Sequence, residues 1–240
     1  PWELVTGELN IPSASIRDLE KRGWLAVESF RSMRNPLAAL QKSEKRIRLN
    51  EQQEQAFQAF AADWDLGRRG TYLLYGVTGS GKTQVYMEMI AKVLSQGKEA
   101  IVLIPEISLT YQTVMRFYSR FGDQVSILNS RMSAGERSDQ FERAKEEKVR
   151  IMVGPRSALF TPFPNLGLIV IDEEHESSYK SETVPKYHAR ETAVERARLS
   201  SASVVLGSAT PSLEAFSRVK RGEYSLLSLP SRVENRALPD

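Results

Sequence analysis

The sequence predicts an α/β fold in which a mostly parallel sheet is covered by helices on both faces. From Leu49 onward, helical and strand patterns alternate, which is the order that produces such a sheet. Two predicted strands, at 100–104 and 168–171, are continuous apolar runs, as expected for strands that are buried on both faces. The 240 residues, 41% of them hydrophobic, are sufficient for a full core without disulfides or a structural metal.

Composition excludes several classes of protein. The chain has no cysteine, which excludes disulfides, iron–sulfur clusters and cysteine-ligated zinc. Its two histidines leave little for a His-based metal site. No apolar run reaches the roughly 18 to 20 residues of a membrane helix, and no signal-peptide pattern is present, so we expect a cytoplasmic protein without a membrane role. The first 50 residues hold nine Lys/Arg against six Asp/Glu. This excess is equally compatible with nucleic-acid binding and with a solvated linker.

The chain before the predicted sheet has a different pattern. Residues 13–22 are predicted to form a helix that ends at Gly23, and residues 24–27 a short apolar strand. Their apolar face would consist of Ile16, Leu19 and Trp24. This order fits the end of a winged helix and also a plain helix–strand connection. We therefore predict a partial winged-helix segment over 1–30 and, because Lys and Arg are frequent there, a basic linker over 31–48.

The elements of the main domain follow in order. Strands are predicted at 72–75, 100–104, 125–128, 151–153, 168–171, 203–206 and 224–229. Apolar residues at helical spacing predict helices at 85–94, around 114–121, at 188–199 and at 212–220. Ser133 with Glu136 three residues later is typical of a capping box, which predicts a helix that continues to about Glu147.

Residues 76–83, Gly-Val-Thr-Gly-Ser-Gly-Lys-Thr, match the phosphate-binding pattern G-x-x-x-x-G-K-[ST] between a predicted strand and a predicted helix. Loop N–H groups and the helix N-terminus would bind phosphates, Lys82 would reach the β and γ phosphates, and Thr83 would ligate Mg²⁺. The predicted nucleotide-binding residues are Gly76, Thr78, Gly79, Ser80, Gly81, Lys82 and Thr83. The expected cofactors are ATP and Mg²⁺.

An acidic motif, Asp172-Glu173-Glu174-His175, directly follows the predicted strand at 168–171. Ligands bind at the carboxyl ends of strands in open α/β sheets, so these acids would face the nucleotide. Asp172 would hold magnesium, and Glu173 would orient and activate the water that attacks the γ-phosphate. Acids at a strand end often form only a surface turn, but their pairing with a phosphate loop favours catalysis by Asp172, Glu173 and Lys82.

A third motif, Gly-Ser-Ala-Thr-Pro at 207–211, follows the predicted strand at 203–206. One interpretation is a helix start with Thr210 as N-cap and Pro211 as first helical residue. Ser-Ala-Thr at this place also resembles the third motif of superfamily 2 helicases. With the phosphate loop and the acidic motif before it, the chain resembles the first motor lobe of a DExH helicase.

Segments between these motifs resemble the PriA family of bacterial replication-restart helicases. The matching segments are 104–110, 154–163, 172–175, 177–180 and 187–190. The resemblance implies a RecA-like P-loop NTPase lobe over 49–229, a hinge over 230–240 toward a second lobe, and 3′-to-5′ DNA unwinding driven by ATP in the intact protein. Without the arginine fingers of a second lobe, the chain would bind ATP but hydrolyse little.

The resemblance also implies roles for individual residues. Gln53, in the element that begins with Leu49-Asn50, would recognise adenine, whereas Asn50 fits a helix cap equally well. His175, Ser208 and Thr210 would couple nucleotide state to DNA, with a hydrogen bond between His175 and Thr210, direct or through one water. The DNA-contacting residues would be Arg156, Tyr179, Lys180, Tyr187 and His188. Their aromatic rings can stack on bases without reading sequence.

The implied partners are single-stranded and forked DNA, with single-stranded DNA-binding protein and primosome-loading proteins, in the bacterial cytoplasm at the nucleoid. No zinc site is expected within the chain. Two departures affect the DNA contacts: Asn129-Ser130 replaces the usual His-Ser, and Pro185 stands where some relatives have tryptophan. The alternative functions are another DExH translocase on duplex DNA or RNA, and a non-catalytic module that responds to nucleotide.

Overall fold

The computed structural model describes residues 4–27, 33–37 and 48–233. These fall into two compact units, which divide between Met33 and Arg34. The predictions for 28–32, 38–47 and 234–240 lie outside the described residues, and the domain division at the two ends of the chain therefore stays a prediction. No helix in the described ranges is long and apolar enough to cross a membrane.

The N-terminal unit contains a π-helical turn, Leu4–Glu8, and helix α1, Ser13–Lys21. Two residues after α1, Gly23 adopts the left-handed conformation (φ 72°). This conformation allows the N–H of Trp24 to donate to the carbonyl of Leu19 (3.0 Å) and so terminates the helix. The strand predicted at 24–27 is wrong, because the described residues provide no strand that pairs with it. Trp24 is 79% exposed and does not complete an apolar face.

The second unit is built on a seven-stranded parallel sheet, which confirms the predicted α/β fold. The strands are β1 (Thr71–Gly76), β2 (Glu99–Leu103), β3 (Val125–Ile127), β4 (Ile151–Gly154), β5 (Leu166–Ile171), β6 (Ser203–Ser208) and β7 (Ser225–Leu229). Their spatial order is β3-β4-β2-β5-β6-β1-β7. Strand β1, which precedes the phosphate loop, lies next to β6, and β6 lies next to β5, which precedes the acidic motif.

Helices cover both faces of the sheet. They are α2 (Glu51–Asp65), α3 (Lys82–Ser95), α4 (Tyr111–Phe121), α5 (Ala134–Lys145), α6 (Ala189–Ser200) and α7 (Leu213–Lys220). Successive strand residues point to opposite faces, so Leu74 packs with Phe60 of α2 and Ile90 of α3, whereas Leu73 belongs to the core that contains Ala193 of α6. Helices α2 to α4 thus share one core and α5 to α7 the other.

Part of the predicted basic linker packs on this unit. The Arg34 guanidinium pairs with Asp139 of α5 (Nε to Oδ2, 2.7 Å), and Gln140 donates to the Arg34 carbonyl at 2.8 Å. Leu37 is 2% exposed and joins the core beneath α2 to α4. Residues 34–37 are therefore attached to the sheet unit by polar and apolar contacts.

Candidate active site

The parallel topology brings the three sequence motifs to one edge of the sheet. The carboxyl ends of β1, β5 and β6 carry the phosphate loop, the acidic motif and the Ser-Ala-Thr motif. A cleft of about 830 Å³ opens there. The residues that line it include Gln53, Thr78, Lys82, Thr83, Asp172 and Glu173. The residues expected to bind ATP and Mg²⁺, except Gly76, therefore line one cavity of a size suited to a nucleotide.

The phosphate loop has backbone geometry that requires glycine. Gly79 and Gly81 adopt φ angles of 80° and 82°, in the left-handed region. A Cβ atom at Gly81 would lie 2.2 Å from the Gln53 amide nitrogen, so a side chain there would also displace Gln53. Helix α3 begins at Lys82, directly after the loop, and its N–H groups face the place where phosphates would bind.

Lys82 is held inside the site. Its ammonium donates to the carbonyl of Gly76 at 3.0 Å and lies 3.8 Å from a carboxylate oxygen of Glu173. Because an ammonium has three N–H donors, one bond to Gly76 leaves two for phosphate oxygens. The lysine is 8% exposed, so its charge acts in a partly desolvated place where its attraction to phosphate is strong.

Asp172 and Glu173 have different environments. Burial, together with the charge of neighbouring Glu173, raises the pKa of the Asp172 carboxyl. A cation beside Asp172 would offset this cost, and Thr83 on the facing loop provides a second oxygen, so the two residues fit Mg²⁺. Glu173 adopts a left-handed φ of 45°, rare for a non-glycine residue, and its side chain is one-third exposed in the cleft.

No group of three or more His, Asp and Glu side chains within the described ranges forms a metal site. Magnesium in nucleotide sites often uses one or two protein ligands together with phosphate oxygens. Thr83 and Asp172 therefore fit a metal whose other ligands include phosphate oxygens.

Glu174, for which the sequence predicts no role, is buried at the centre of a polar network. Its carboxylate accepts from Arg190 of α6 (2.9 Å) and from the backbone N–H and hydroxyl of Ser212 (2.6 and 3.0 Å). Its backbone N–H donates to the carbonyl of Gly207. Glu174 thus joins the acidic motif to β6 and to the start of α7. In the sequence, only the position of Glu174 directly after Glu173 indicates that it belongs to the site.

The Ser-Ala-Thr motif does not have one of its two predicted roles. Ser212 is the N-cap of α7, with its hydroxyl accepting from the N–H of Ala215 at 3.2 Å, so the predicted cap at Thr210 is wrong. Ser208 lies between His175 and Thr210, which were expected to bond directly or through one water. Its hydroxyl is 2.8 Å from Nδ1 of His175 and accepts from the backbone N–H of Thr210 at 3.0 Å.

Gln53 forms a capping box with Asn50 at the start of α2. The Asn50 N–H donates to the Gln53 side-chain oxygen (3.0 Å), and the Gln53 N–H donates to Asn50 (3.0 Å). The Gln53 amide nitrogen donates to the Ser80 carbonyl at 2.9 Å. Gln53 thus supports the phosphate loop, while its predicted contact with adenine stays a prediction.

Residues 230–233, which we call the exit segment, lie against the phosphate loop. The N–H of Val233 donates to the carbonyl of Gly79 at 3.1 Å. Ser231 exchanges two hydrogen bonds with the Gln52 side chain, at 3.1 and 3.2 Å. The chain after β7 is thereby attached both to the loop and to α2.

The residues predicted to contact DNA are mostly near one another. Arg156 donates through one nitrogen to the carbonyls of Ser178 and Lys180, at 2.9 and 2.8 Å. Lys180 and His188 form an antiparallel bridge. The segment from 177 to 188, which we call the aromatic loop, is therefore closed on itself and held by Arg156.

Within the aromatic loop, the two tyrosines have opposite exposure. Tyr179 is 1% exposed, and its hydroxyl lies 2.7 Å from the carbonyl oxygen of Asp172 and 3.1 Å from that of Leu103. Its ring therefore does not lie at the surface where a base could stack. Tyr187 is partly exposed and packs edge-on against Phe160, with ring centroids 5.3 Å apart. Phe160, half exposed, was not singled out from the sequence.

The two departures from the family pattern lie in loops. The side-chain oxygen of Asn129 accepts from the N–H groups of Arg131 and Met132, at 3.0 and 3.1 Å, and so stabilises the turn after β3. Pro185 is exposed in the aromatic loop.

Comparison with known proteins identifies helicases. The DEAD/DEAH box helicase family matches residues 50–219. The Replication restart protein PriA of Bacillus subtilis is 48% identical over 229 residues, which are 95% of this chain and 28% of that protein. The PriA of Haemophilus influenzae is 40% identical over 243 residues, covering 97% of this chain and 32% of its own length. The chain thus spans about a third or less of these relatives.

Solved structures support the same fold. RecG bound to a three-way DNA junction superposes with a TM-score of 0.59 at 20% identity, over 80% of this chain and 25% of that one. The DUF1998 helicase MrfA bound to DNA gives a TM-score of 0.53 at 18% identity, over 75% of this chain and 27% of that one. The predicted RecA-like α/β lobe is confirmed.

Proposed function

Because the chain belongs to the DEAD/DEAH box helicase family, we propose that it is the ATP-binding first motor lobe of a replication-restart DNA helicase similar to PriA. The observation that carries the proposal is the convergence of Lys82, Asp172 and Glu173 on one cleft beside the phosphate loop. Identity of 48% to a PriA protein over 95% of the chain favours replication restart over other helicase functions. Such a protein would act in the bacterial cytoplasm, on single-stranded and forked DNA.

The proposed chemistry is in-line hydrolysis of the γ-phosphate. Lys82 would bind phosphate oxygens while remaining bonded to Gly76. Thr83 and Asp172 would hold Mg²⁺, which supplies charge neutralisation to the phosphate oxygens when bound. The Glu173 carboxylate, in the cleft and 3.8 Å from the Lys82 ammonium, would accept a hydrogen bond from the attacking water and orient it.

We propose that Ser208 relays the nucleotide state toward DNA. His175 Nδ1 lies 3.8 Å from Glu173 Oε2 and 2.8 Å from the Ser208 hydroxyl, which in turn holds the backbone of Thr210. A change in the position of Glu173 would therefore reach Thr210 through three successive contacts, two of which are hydrogen bonds. In this proposal Ser208 bridges His175 and Thr210, for which the resemblance implies a hydrogen bond, direct or through one water.

Replacement of Lys82 by Ala is expected to weaken ATP binding to this chain by about 10- to 100-fold, because a charge-assisted contact to phosphate is lost. Calorimetric titration with Mg-ATP measures the change. Lys92→Ala is the matched control, since Lys92 lies on the same helix but pairs with Asp65 away from the cleft. Equal affinity of the wild-type and Lys82→Ala proteins would reject the site.

We propose that DNA contacts the partly exposed pair of Phe160 and Tyr187. Arg156 holds the neighbouring backbone, and Lys180 is exposed beside it. Aromatic faces and a few cations bind single strands weakly, with strong dependence on salt and little dependence on sequence. Comparison of forked DNA, duplex DNA and RNA as ligands distinguishes replication restart from another DExH translocase.

Tyr187→Ala is expected to weaken binding of single-stranded DNA by about 5- to 100-fold, the range measured for loss of one stacked base. Fluorescence anisotropy across a salt series measures both the affinity and its slope. Phe216→Ala provides the control, because Phe216 is an exposed ring on α7 outside the aromatic loop. Equal losses in both variants, or an affinity independent of salt, would contradict this mode of binding.

A further inference from the structure

A buried tyrosine next to the phosphate loop contacts the acidic motif. Tyr86 lies on α3, one helical turn after Lys82, and is 1% exposed. Its hydroxyl donates to Oδ1 of Asp172 at 3.1 Å. The helix that follows the phosphate loop therefore reaches back to the carboxylate assigned to magnesium.

The Ser-Ala-Thr motif leaves room for this hydroxyl. A Cβ atom at Gly207 would lie 1.4 Å from the Tyr86 oxygen and 3.4 Å from Asp172 Oδ1. Any larger residue at 207 would therefore displace the tyrosine. The glycine near the end of β6 therefore provides the space that the Tyr86 hydroxyl occupies.

Two phenols hold different parts of Asp172. The Tyr179 hydroxyl lies 2.7 Å from the backbone carbonyl of Asp172, and the Tyr86 hydroxyl contacts its carboxylate. A carboxylate fixed only through its backbone could still rotate about its side-chain torsions. The bond from Tyr86 restricts that rotation.

We propose that Tyr86 is a positioning residue, whose hydroxyl orients the Asp172 carboxylate for Mg²⁺. This inference rests on the proposed function. It predicts that loss of the hydroxyl impairs the contribution of magnesium to ATP binding, because the carboxylate must then be ordered when the metal binds. Contacts of the phosphates with the loop itself would be retained.

The test is Tyr86→Phe in the 240-residue chain, with ATP affinity measured in EDTA and at increasing Mg²⁺. We expect the Mg²⁺ concentration that gives half of the gain in ATP affinity to rise about fivefold to tenfold, within the range for loss of one ordinary hydrogen bond. Affinity in EDTA should change less than about twofold. Tyr72→Phe is the matched control, because Tyr72 is also buried and its hydroxyl bonds Asp63 outside the cleft.

A second comparison uses Asp172→Ala, which removes the oxygen that accepts from Tyr86. In that background, the further change Tyr86→Phe should leave the magnesium requirement unchanged, since the two residues act through one contact. A thermal melt of each variant without Mg²⁺ reports on the fold. An unfolded Tyr86→Phe protein would overturn the proposal, which assigns the hydroxyl an orienting role and not one in stability.

The outcomes also separate this inference from the proposed function. An unchanged magnesium requirement in a Tyr86→Phe protein that binds ATP would overturn the positioning role alone. Failure of the wild-type chain to bind ATP at any Mg²⁺ concentration would overturn the proposed function, and the role of Tyr86 with it.

Discussion

ATP turnover is expected to fall by about 10²- to 10⁴-fold when Glu173 is replaced by Gln, while ATP affinity stays within about twofold. Glutamine preserves the size of the side chain and tolerates the same left-handed backbone about as well as glutamate. It lacks the carboxylate that we propose orients and activates the attacking water. The loss should therefore fall on the chemical step and spare binding.

Steady-state hydrolysis with and without DNA, in the protein that carries this chain together with a second motor lobe, measures the effect. Glu176→Gln is the control, since it makes the same chemical change three residues later and Glu176 does not line the cleft. A decrease below about tenfold would remove Glu173 from the water-activating role, and a parallel loss of ATP affinity would make it a binding residue instead.

Removal of the Glu174 carboxylate is expected to cost about 3 to 5 kcal/mol of unfolding free energy, because the buried guanidinium of Arg190 loses its buried partner and keeps only the exposed Glu191. The side chains of Glu174 and Arg190 are 0% and 7% exposed. Glu174→Ala also leaves the Ser212 N–H without the acceptor that lies 2.6 Å away. Urea denaturation of the chain measures the loss.

Glu191→Ala is the matched control for this prediction. Glu191 pairs with the same Arg190, at 3.2 Å, but its side chain is 44% exposed, so its removal should cost less than about 1 kcal/mol. Losses of similar size in the two variants would refute the dominant role of the buried pair. In an Arg190→Ala background, the further cost of Glu174→Ala should be much smaller than in the wild type.

The fold was predictable because its signals are local. Buried parallel strands are continuous apolar runs, so the strand predicted at 168–171 is found at Leu166–Ile171, and the phosphate loop is recognisable from eight consecutive residues. The helix predicted at 212–220 is found at Leu213–Lys220, but the cap predicted at Thr210 was wrong, because a distant group decides where α7 starts. Glu174 binds both the N–H and the hydroxyl of Ser212, which fixes the helix start there in place of the locally favourable Thr210-Pro211.

The site was predictable only where function depends on residue type in a short motif. Tyr179 lies in a polar loop and was expected to be exposed, yet its hydroxyl bonds the carbonyl of Leu103, which is 76 residues away. Tyr86 belongs to the apolar face of α3, and its partner Asp172 is 86 residues away. No local pattern specifies such pairs, since they depend on how the strands are ordered in the sheet.

The exit segment has a consequence for hydrogen exchange. The amide proton of Val233 is bonded to the carbonyl of Gly79, so it can exchange with solvent only after that bond breaks. Its exchange rate therefore reports how often the exit segment separates from the phosphate loop. The same loop would hold the phosphates. The exchange rate of the Val233 amide proton, compared with and without nucleotide, would therefore show how nucleotide binding changes the frequency with which the exit segment separates from the loop.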